Sequence, residues 1–265
     1  MNRELAGMHA VWLREFTVFQ REKTRVVSAI VQPLMWIFLF GGGVSGSVAP
    51  ESSSAGLPPG VSYQQFIFPG MVMMSTVFTS LFYGLYIVWD RKIDVLKEIL
   101  VSPVSRTAIF LGKVLGGCTD VLIQCTVLLL VGYFVLGQPG PGYLLMIPAA
   151  LGVVFLAALG TVSIGLALGT LFESFEGFQV VTTFLSFPLF FLSGALYPLN
   201  DALRESHPVL FHASRFDPVT YPVDALRGLL LGANRNPLAL DLLVMVGFAG
   251  AMVVVGGFAF RRMRL

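Results

Sequence analysis

Residues 143–172 read YLLMIPAALGVVFLAALGTVSIGLALGTLF, and this uncharged stretch decides the fold. An α-helix needs about 20 consecutive apolar residues to cross the hydrocarbon core of a bilayer, and the stretch exceeds that length. Backbone polar groups in lipid must be satisfied internally, so a helix is the structure that such a segment adopts. Residues 143–172 therefore predict a transmembrane helix.

The composition of the whole chain agrees with a membrane protein. Apolar residues make up 55% of the 265 residues and charged residues only 12%, about half the charged fraction of a typical soluble domain. The formal net charge of +2 is too small to neutralise a nucleic-acid backbone. These values exclude an ordinary soluble enzyme, a disordered chain and a nucleic-acid binder.

Turn-forming and charged segments divide the chain into six apolar runs. The runs are 26–44, 66–89, 109–136, 143–172, 178–197 and 240–260. Gln32-Pro33 predicts a kink in the first run, and Pro69-Gly70 marks the opening of the second. We therefore expect an all-α integral membrane protein in which residues 26–265 form one domain of six transmembrane helices.

Basic residues are distributed unevenly between the connecting segments. All but four of the 17 Lys and Arg residues lie in the N-terminal segment, in residues 90–113 or at the C-terminus. The other four are Arg204, Arg215, Arg227 and Arg235. Because cytoplasmic segments of membrane proteins carry the excess of Lys and Arg, we expect both termini in the cytoplasm.

Residues 1–25 predict an amphipathic helix that lies in the membrane interface. At about 100° per residue, Trp12, Phe16 and Phe19 share an apolar stripe and Arg14 falls almost opposite it. Helices with this pattern lie along the membrane surface rather than cross it. The alternative is a solvated helix that packs on the protein's own bundle.

Residues 90–106 predict a short amphipathic helix on the cytoplasmic side, which Pro103 ends. Apolar residues recur at helical spacing between charged ones, and such a helix inserts its apolar ridge into a groove on a partner. A charged loop that only maintains topology is the alternative. The positions that we expect to contact a partner are Ile93, Leu96, Lys97, Glu98 and Leu100.

Residues 198–238 predict short helices at the outer face before the last span. Asp217 precedes a proline in the pattern of a helix N-cap, and the apolar piece that follows is too short to cross a bilayer. Asp224 and Arg227 are three residues apart and are expected to pair. Two placements remain: a re-entrant segment shielded by protein, or an external cap that closes the bundle.

Two features inside the spans suggest local roles. Asp120 lies in the third apolar run, where an ionisable group is a candidate for function, and hydrogen bonding to Thr119 or Gln124 near the inner interface is its alternative. The pairs Gly112/Gly116 and Gly165/Gly169 match the small-xxx-small pattern of closely packed helices.

Catalytic motifs are absent from the sequence. There is no Walker A motif and no H-E-x-x-H motif, and the three histidines lie outside the apolar runs. We therefore expect no catalytic residue, no bound metal and no nucleotide hydrolysis by this chain.

Four segments, in order along the chain, resemble the permease subunit of ABC type-2 transporters, a group of lipo-oligosaccharide, polysaccharide and daunorubicin-type drug export permeases. They are YQQFIFPGM at 63–71, DVLKEILVSPVSR at 94–106, LSGALYPL at 192–199 and DPVTYPVDALR at 217–227. The resemblance covers essentially the whole chain.

The resemblance implies a homodimer in the inner membrane that pairs with two copies of a separate ATP-binding subunit. That subunit, not this chain, would bind ATP and Mg²⁺, and the complex would export an amphipathic or lipid-linked substrate or a drug. Residues 90–106 would be the coupling helix, and the turn with Glu173 and Glu176 would also contact the ATPase. Residues 198–238 would form re-entrant helices.

The resemblance also implies a translocation path near the second and fifth spans. Six phenylalanines there are candidate substrate contacts, and ordinary packing against lipid or core is their alternative. They are Phe78, Phe82, Phe184, Phe187, Phe190 and Phe191. A secondary transporter or channel without an ATPase, an assembly protein and a membrane enzyme are the competing classes.

Overall fold

The computed structural model describes residues 3–22, 27, 31–36, 38–39, 61–135 and 142–263. Regular structure in these residues is entirely helical, which confirms the all-α class. The helices are α1 (Arg3–Arg21), α2 (Tyr63–Phe82), α3 (Leu85–Lys92), α4 (Val95–Val101), α5 (Arg106–Val135), α6 (Gly142–Leu171), α7 (Phe175–Leu192), α8 (Asp201–Ser206), α9 (Pro208–Phe216), α10 (Thr220–Leu231) and α11 (Leu238–Arg262).

Five segments of the described part are long and apolar enough to cross a membrane. They are α2 together with α3, then α5, α6, α7 and α11. Residues 31–36 are helical, but most of the predicted first span, 26–44, lies outside the described residues, as does the turn 137–141. The expectation of six spans therefore stays a prediction.

The helix α2 is the most deeply buried span. It begins at Tyr63, nearly two turns before Pro69, so this proline lies inside the helix rather than at its opening as expected. The start is fixed by a capping box, in which the Gln65 N–H donates to Ser62 Oγ (3.3 Å) and the Ser62 N–H donates to Gln65 Oε1 (3.0 Å).

Glycines set the crossing between α6 and the junction of α2 with α3. A Cβ added at Gly84 would lie 1.8 Å from the carbonyl oxygen of Gly165, and one at Gly169 would lie 2.3 Å from the carbonyl oxygen of Gly84. Only glycine permits this backbone contact, so the close approach predicted for Gly165/Gly169 is confirmed.

The helix α1 packs along α5 through the other predicted pair. A Cβ at Gly112 would lie 2.8 Å from the carbonyl oxygen of Met8, and one at Gly116 would lie 2.7 Å from the Cβ of Glu15. Leu5, near the start of α1, remains 51% exposed. Packing on the bundle, the alternative for this helix, is therefore what the structure shows, and its contact with the membrane interface stays a prediction.

The remaining helices complete the bundle around α2 and α6. The last helix, α11, packs along α6, and α10 packs against α2, α6 and α11. Arg106 ties the inner end of α5 to that of α11, since its Nη1 donates to the carbonyl oxygens of Arg261 (2.8 Å) and Met263 (3.2 Å). The predicted region 198–238 folds into the short helices α8, α9 and α10 at the opposite end.

Candidate functional site

The chain turns sharply between α3 and α4 at the inner end of the bundle. Asp94 has φ 59° and ψ 0°, a left-handed conformation that Asp tolerates better than most residues. Its carboxylate is 2.7 Å from Lys97 Nζ in an exposed ion pair. The turn lays α4 across the inner end of the bundle as a short separate helix.

The two faces of α4 differ from the expected arrangement. Leu96 is fully buried in the core of this chain, so the expectation that it belongs to an exposed partner-binding ridge is wrong, and Leu100 is half-buried. Sequence periodicity identified the apolar face but not what covers it. The exposed residues are Ile93 at 50%, Lys97, Glu98 and Val101 at 83%.

A second inner segment, the link between α6 and α7, lies beside the end of α3. Glu173 and Glu176 are both exposed there. Lys92 Nζ lies 3.9 Å from the ring centroid of Phe175. Arg91 donates to the carbonyl oxygen of Phe172 at 3.1 Å. The two segments predicted to contact a partner therefore share one surface.

Four charged side chains meet in the interior directly above this surface. Lys113 Nζ, which is fully buried, donates to Glu15 Oε1 (2.8 Å) and Asp90 Oδ2 (2.7 Å). Arg14 donates to Asp90 Oδ1 (2.8 Å) and Glu15 Oε1 (2.8 Å). Tyr83 adds a hydroxyl donor to Glu15 Oε2 at 3.0 Å. Two acids and two bases thus join α1, α3 and α5, and we call these four residues the inner charge cluster.

Sequence reasoning missed the inner charge cluster. Asp90 was assigned to the charged segment 90–106, Lys113 was counted with the basic residues of 90–113, and Arg14 was placed almost opposite the apolar stripe of α1. The sequence did contain one signal, which is the ionisable residue Lys113 inside the apolar run 109–136. Such a residue is rarely buried unless it is paired, so its position indicated a buried partner of opposite charge. Burial alone would lower the pKa of Arg14, but the adjacent carboxylates of Asp90 and Glu15 raise it.

The aromatic residues of α1 lie partly against the bundle. Trp12 Nε1 donates to Thr119 Oγ1 at 2.9 Å, and its ring stacks with that of Phe16 at a centroid distance of 5.9 Å. Phe19 is buried. Asp120, the residue after Thr119, is also buried, and its role in transport stays a prediction.

A cavity of about 700 Å³ lies between α2, α3 and α7. The predicted path residues Phe78, Phe82 and Phe187 line it, together with Tyr86 and Trp89. Phe78 and Phe187 meet edge to face at 5.4 Å between ring centroids. Its other lining residues are Glu22, Gln32, Thr79, Leu85 and Thr183.

The other predicted path residues on α7 lie away from this lining. Phe191 stacks beside Phe187 with the ring centroids 6.2 Å apart. Phe184 is 80% exposed on the outside of the bundle, and Phe190 is buried in the core. The sequence placed all four phenylalanines on α7 but did not show which of them face the cavity, the core or the outside of the bundle.

The expected outer pair, Asp224 and Arg227, does not form a direct ion pair. Arg227 Nη2 donates to the carbonyl oxygens of Gly194 (2.8 Å) and Ala195 (2.9 Å). The carboxylate of Asp224 accepts from the backbone N–H of Arg235, at 2.8 Å to Oδ1. Burial lowers the pKa of Arg227 to about 10, although the negative charge of Asp224 opposes that shift, so the guanidinium stays charged at neutral pH.

Asp217 has a related but different role from the one expected. The helix α10 begins at Thr220, not at Pro218, and Asp217 Oδ1 accepts from the Val219 N–H at 3.0 Å. Burial raises the pKa of Asp217 to about 7, against the hydrogen bonds from Val219 and Thr220.

These observations define a multi-pass α-helical membrane protein with a short helix exposed between two of its spans. The sequence model of the ABC-2 type transporter family matches residues 7–231. The chain therefore belongs to the ABC-2 type transporter family.

Individual relatives are similar over most of their length. The inner membrane transport permease YadH of Escherichia coli K12 is 27% identical over 94% of this chain and 92% of its own length. Nodulation protein J of Rhizobium leguminosarum bv. trifolii is 26% identical over 84% of this chain and 80% of its own. The putative transport permease ycf38 of Cyanophora paradoxa is 28% identical over 81% of this chain and 70% of its own length.

Proposed function

We propose that this chain is the permease subunit of an ATP-driven exporter in the inner membrane. Two copies associate and pair with two copies of a separate ATP-binding subunit, which binds ATP and Mg²⁺. Membership of the ABC-2 family supports this role, as does similarity to proteins named as transport permeases. The chain itself is not an enzyme in this proposal.

The proposed topology has six spans, with residues 1–25 as a separate interfacial helix and both termini in the cytoplasm. The apolar run 26–44 supplies the first span. The bonds of Arg106 to the end of α11 support this orientation, because they place the basic residues before α5 and after α11 at one end of the bundle.

The attachment of α4 to the core is the observation that carries the proposal. Leu96 anchors α4 in the core, while Ile93 and Val101 remain exposed beside it. A displacement applied to the exposed face by a partner would therefore move α3 and α2 with α4. Such coupling requires that the partner's two states bind the permease's two arrangements with different affinity.

The aromatic cavity supports an amphipathic or lipid-linked substrate or a hydrophobic drug. Its volume of about 700 Å³ lies within the usual range for small-molecule sites, and such sites are mostly apolar with a few polar groups. Here the polar groups include Glu22 and Tyr86, which are joined by a 2.7 Å hydrogen bond.

Reconstitution with the ATP-binding subunit tests the coupling role. Ile93→Glu, in the turn before α4, and Val101→Glu, at the end of α4, each place a charge on this exposed surface. We therefore expect at least a tenfold loss of substrate-stimulated ATP hydrolysis and of transport, with an unchanged melting temperature. Ala202→Glu, on an exposed site of α8 at the other end, is the matched control. Full stimulation in both α4 variants would contradict the proposal.

A secondary transporter is the second candidate, because Asp120 is buried within a span. Vesicles that hold this chain without the ATP-binding subunit distinguish the two candidates. Substrate movement driven by an ion gradient and abolished by Asp120→Asn would favour the secondary transporter.

A further inference from the structure

Three arginines converge on one buried phenyl ring at the outer end of the bundle. The guanidinium carbons of Arg204, Arg215 and Arg235 lie 6.0, 5.3 and 4.6 Å from the ring centroid of Phe211, respectively. They come from α8, α9 and the loop between α10 and α11. The fold thus gathers three of the four basic residues of the predicted outer segments around a single side chain.

No carboxylate of the described residues forms an ion pair with these three arginines, although Asp201 and Glu205 are exposed on α8 beside Arg204. In the described part of the chain, the ion pairs within 4.0 Å all involve inner-end residues, so none pairs with Arg204, Arg215 or Arg235. Nearby Asp217 is buried and accepts from backbone and hydroxyl donors of α10 instead. The three guanidinium groups are exposed and keep most of their N–H donors for another anion.

The helix α9 adds an exposed apolar face beside the arginines. Val209 is 82% exposed and Phe216 is 89% exposed. They are seven residues apart and therefore lie on the same side of the helix. Phe211 and Ser214 occupy the opposite side and are buried. An exposed apolar face next to arginines is the pattern of a helix that lies in a membrane interface.

The position of the loop places this group at the level of lipid headgroups. Arg235 comes three residues before α11, a candidate span of 25 residues. At about 1.5 Å per residue this helix exceeds the hydrocarbon thickness of about 30 Å. A helix of this length can reach the headgroup region, and Arg235 is next to its outer end.

We propose that α8, α9 and the loop 232–237 bind the phosphate groups of anionic phospholipids. Arg204, Arg215 and Arg235 bind phosphate oxygens, for which the planar guanidinium fork is well suited, while Val209 and Phe216 insert among the acyl chains. These phospholipids belong to the outer leaflet of the membrane. That placement rests on the topology given under the proposed function.

Lipid binding by the purified full chain tests the arginines. Native mass spectrometry compares the retention of phosphatidylglycerol with that of phosphatidylcholine. In Arg204→Gln/Arg215→Gln/Arg235→Gln, we expect the preference for phosphatidylglycerol to fall by about fivefold for each arginine removed. Ala202→Gln on α8 is the uncharged control, and an unchanged preference in the triple variant would overturn the proposal.

Spin labelling tests the insertion of α9. The native Cys118 and Cys125 are buried, so a nitroxide on Phe216→Cys reports on this site, and one on Glu205→Cys serves as the exposed control. In phosphatidylglycerol vesicles, we expect position 216 to be relaxed by oxygen and position 205 by a water-soluble nickel complex. Equal relaxation of both positions by nickel would overturn the proposal.

Inorganic phosphate provides the last comparison. Binding of free phosphate to the wild-type protein in phosphatidylcholine vesicles, lost in the triple variant and accompanied by no preference for phosphatidylglycerol, would assign the site to a soluble anion and overturn the lipid proposal. Neither nucleotide nor the ATP-binding subunit enters these measurements, so a failure of the transport proposal is seen separately.

Discussion

Buried charges at the two ends of the bundle are stabilised in different ways. At the inner end, the ammonium group of Lys113 lies between the carboxylates of Glu15 and Asp90. At the outer end, the guanidinium of Arg227 donates to the main-chain carbonyls of Gly194 and Ala195. Carboxylates neutralise the ammonium group of Lys113, whereas backbone carbonyl oxygens accept hydrogen bonds from the guanidinium of Arg227.

The difference shows what each end depends on. The inner charge cluster depends on charge balance between residues far apart in sequence, such as Lys113 and Glu15, which are 98 residues apart. The guanidinium of Arg227 depends on the backbone geometry of the turn after α7, whose carbonyl oxygens accept its hydrogen bonds. The inner charge cluster thus joins three helices through side chains, whereas Arg227 joins α10 to the main chain of the turn after α7.

The largest expected effect comes from unbalancing the inner charge cluster. Lys113→Met leaves the carboxylates of Glu15 and Asp90 buried with Arg14 as their remaining cation. Removing one partner of a buried ion pair costs about 3–5 kcal/mol. Denaturant unfolding in detergent should show a loss of this size, and Lys97→Met, in an exposed ion pair, should change the free energy of unfolding by less than about 1 kcal/mol.

A second substitution distinguishes charge imbalance from a packing defect. Asp90→Asn/Lys113→Met removes one acid as well and leaves the Arg14–Glu15 pair, whose atoms are 2.8 Å apart. We expect this double variant to regain about half of the stability lost in Lys113→Met. A double variant less stable than the single one would show that packing rather than charge dominates the inner end.

The next effect concerns the geometry of the outer end. Arg227→Lys keeps the charge, but a single ammonium nitrogen cannot replace both Nη2, which donates to the carbonyls of Gly194 and Ala195, and Nε, which donates to that of Phe66 at 3.4 Å. It also lacks the planar guanidinium, whose central carbon lies 3.9 Å from the ring centroid of Phe66. We expect a loss of about 2 kcal/mol, since hydrogen bonds to charged groups contribute about 1.5–3 kcal/mol.

Thermal unfolding at matched lipid and detergent content measures the Arg227→Lys effect. The exposed Arg21→Lys on α1 is the control and should not change the melting temperature. If Arg227→Lys were as stable as the wild type, charge rather than shape would hold the outer end, and the contrast between the two ends would fail.

Much of the fold follows from the sequence because hydrophobic length is a local property. The uncharged stretch 143–172 predicted α6 (Gly142–Leu171) to within a residue at each end. The small-xxx-small pairs predicted close helix contacts that the structure contains. The break at Tyr83-Gly84 was missed. Gly84 packs against the carbonyl of Gly165 in another helix, a contact that the local sequence does not show.

The candidate site was less predictable because its residues depend on distant partners. Periodicity identified Leu96 as apolar, but only the folded bundle shows that its own core covers it. Asp224 and Arg227 have helical spacing for a pair, yet each binds backbone groups from other segments. Such choices are decided by tertiary contacts, which spacing along one helix does not determine.

The smallest expected effect compares two of the three left-handed backbone positions in the described residues, one from each end of the bundle. Gly232, which follows α10, has φ 66°, and a Cβ there would meet no atom within 4 Å. Asp94 adopts φ 59° at the inner end with a side chain present. A non-glycine residue in this conformation costs about 1 kcal/mol, so Gly232→Ala should destabilise the protein by about that amount.

Asp94→Gly should have the opposite sign. It relieves the backbone strain but loses the exposed pair with Lys97, so we expect a gain of about 0.5 kcal/mol. Differential scanning calorimetry of both variants measures the two shifts in melting temperature. A loss of stability in Asp94→Gly would mean that the Asp94 side chain stabilises the turn before α4 by more than its strained backbone costs, and the inner turn would then depend on side-chain contacts, as the inner charge cluster does.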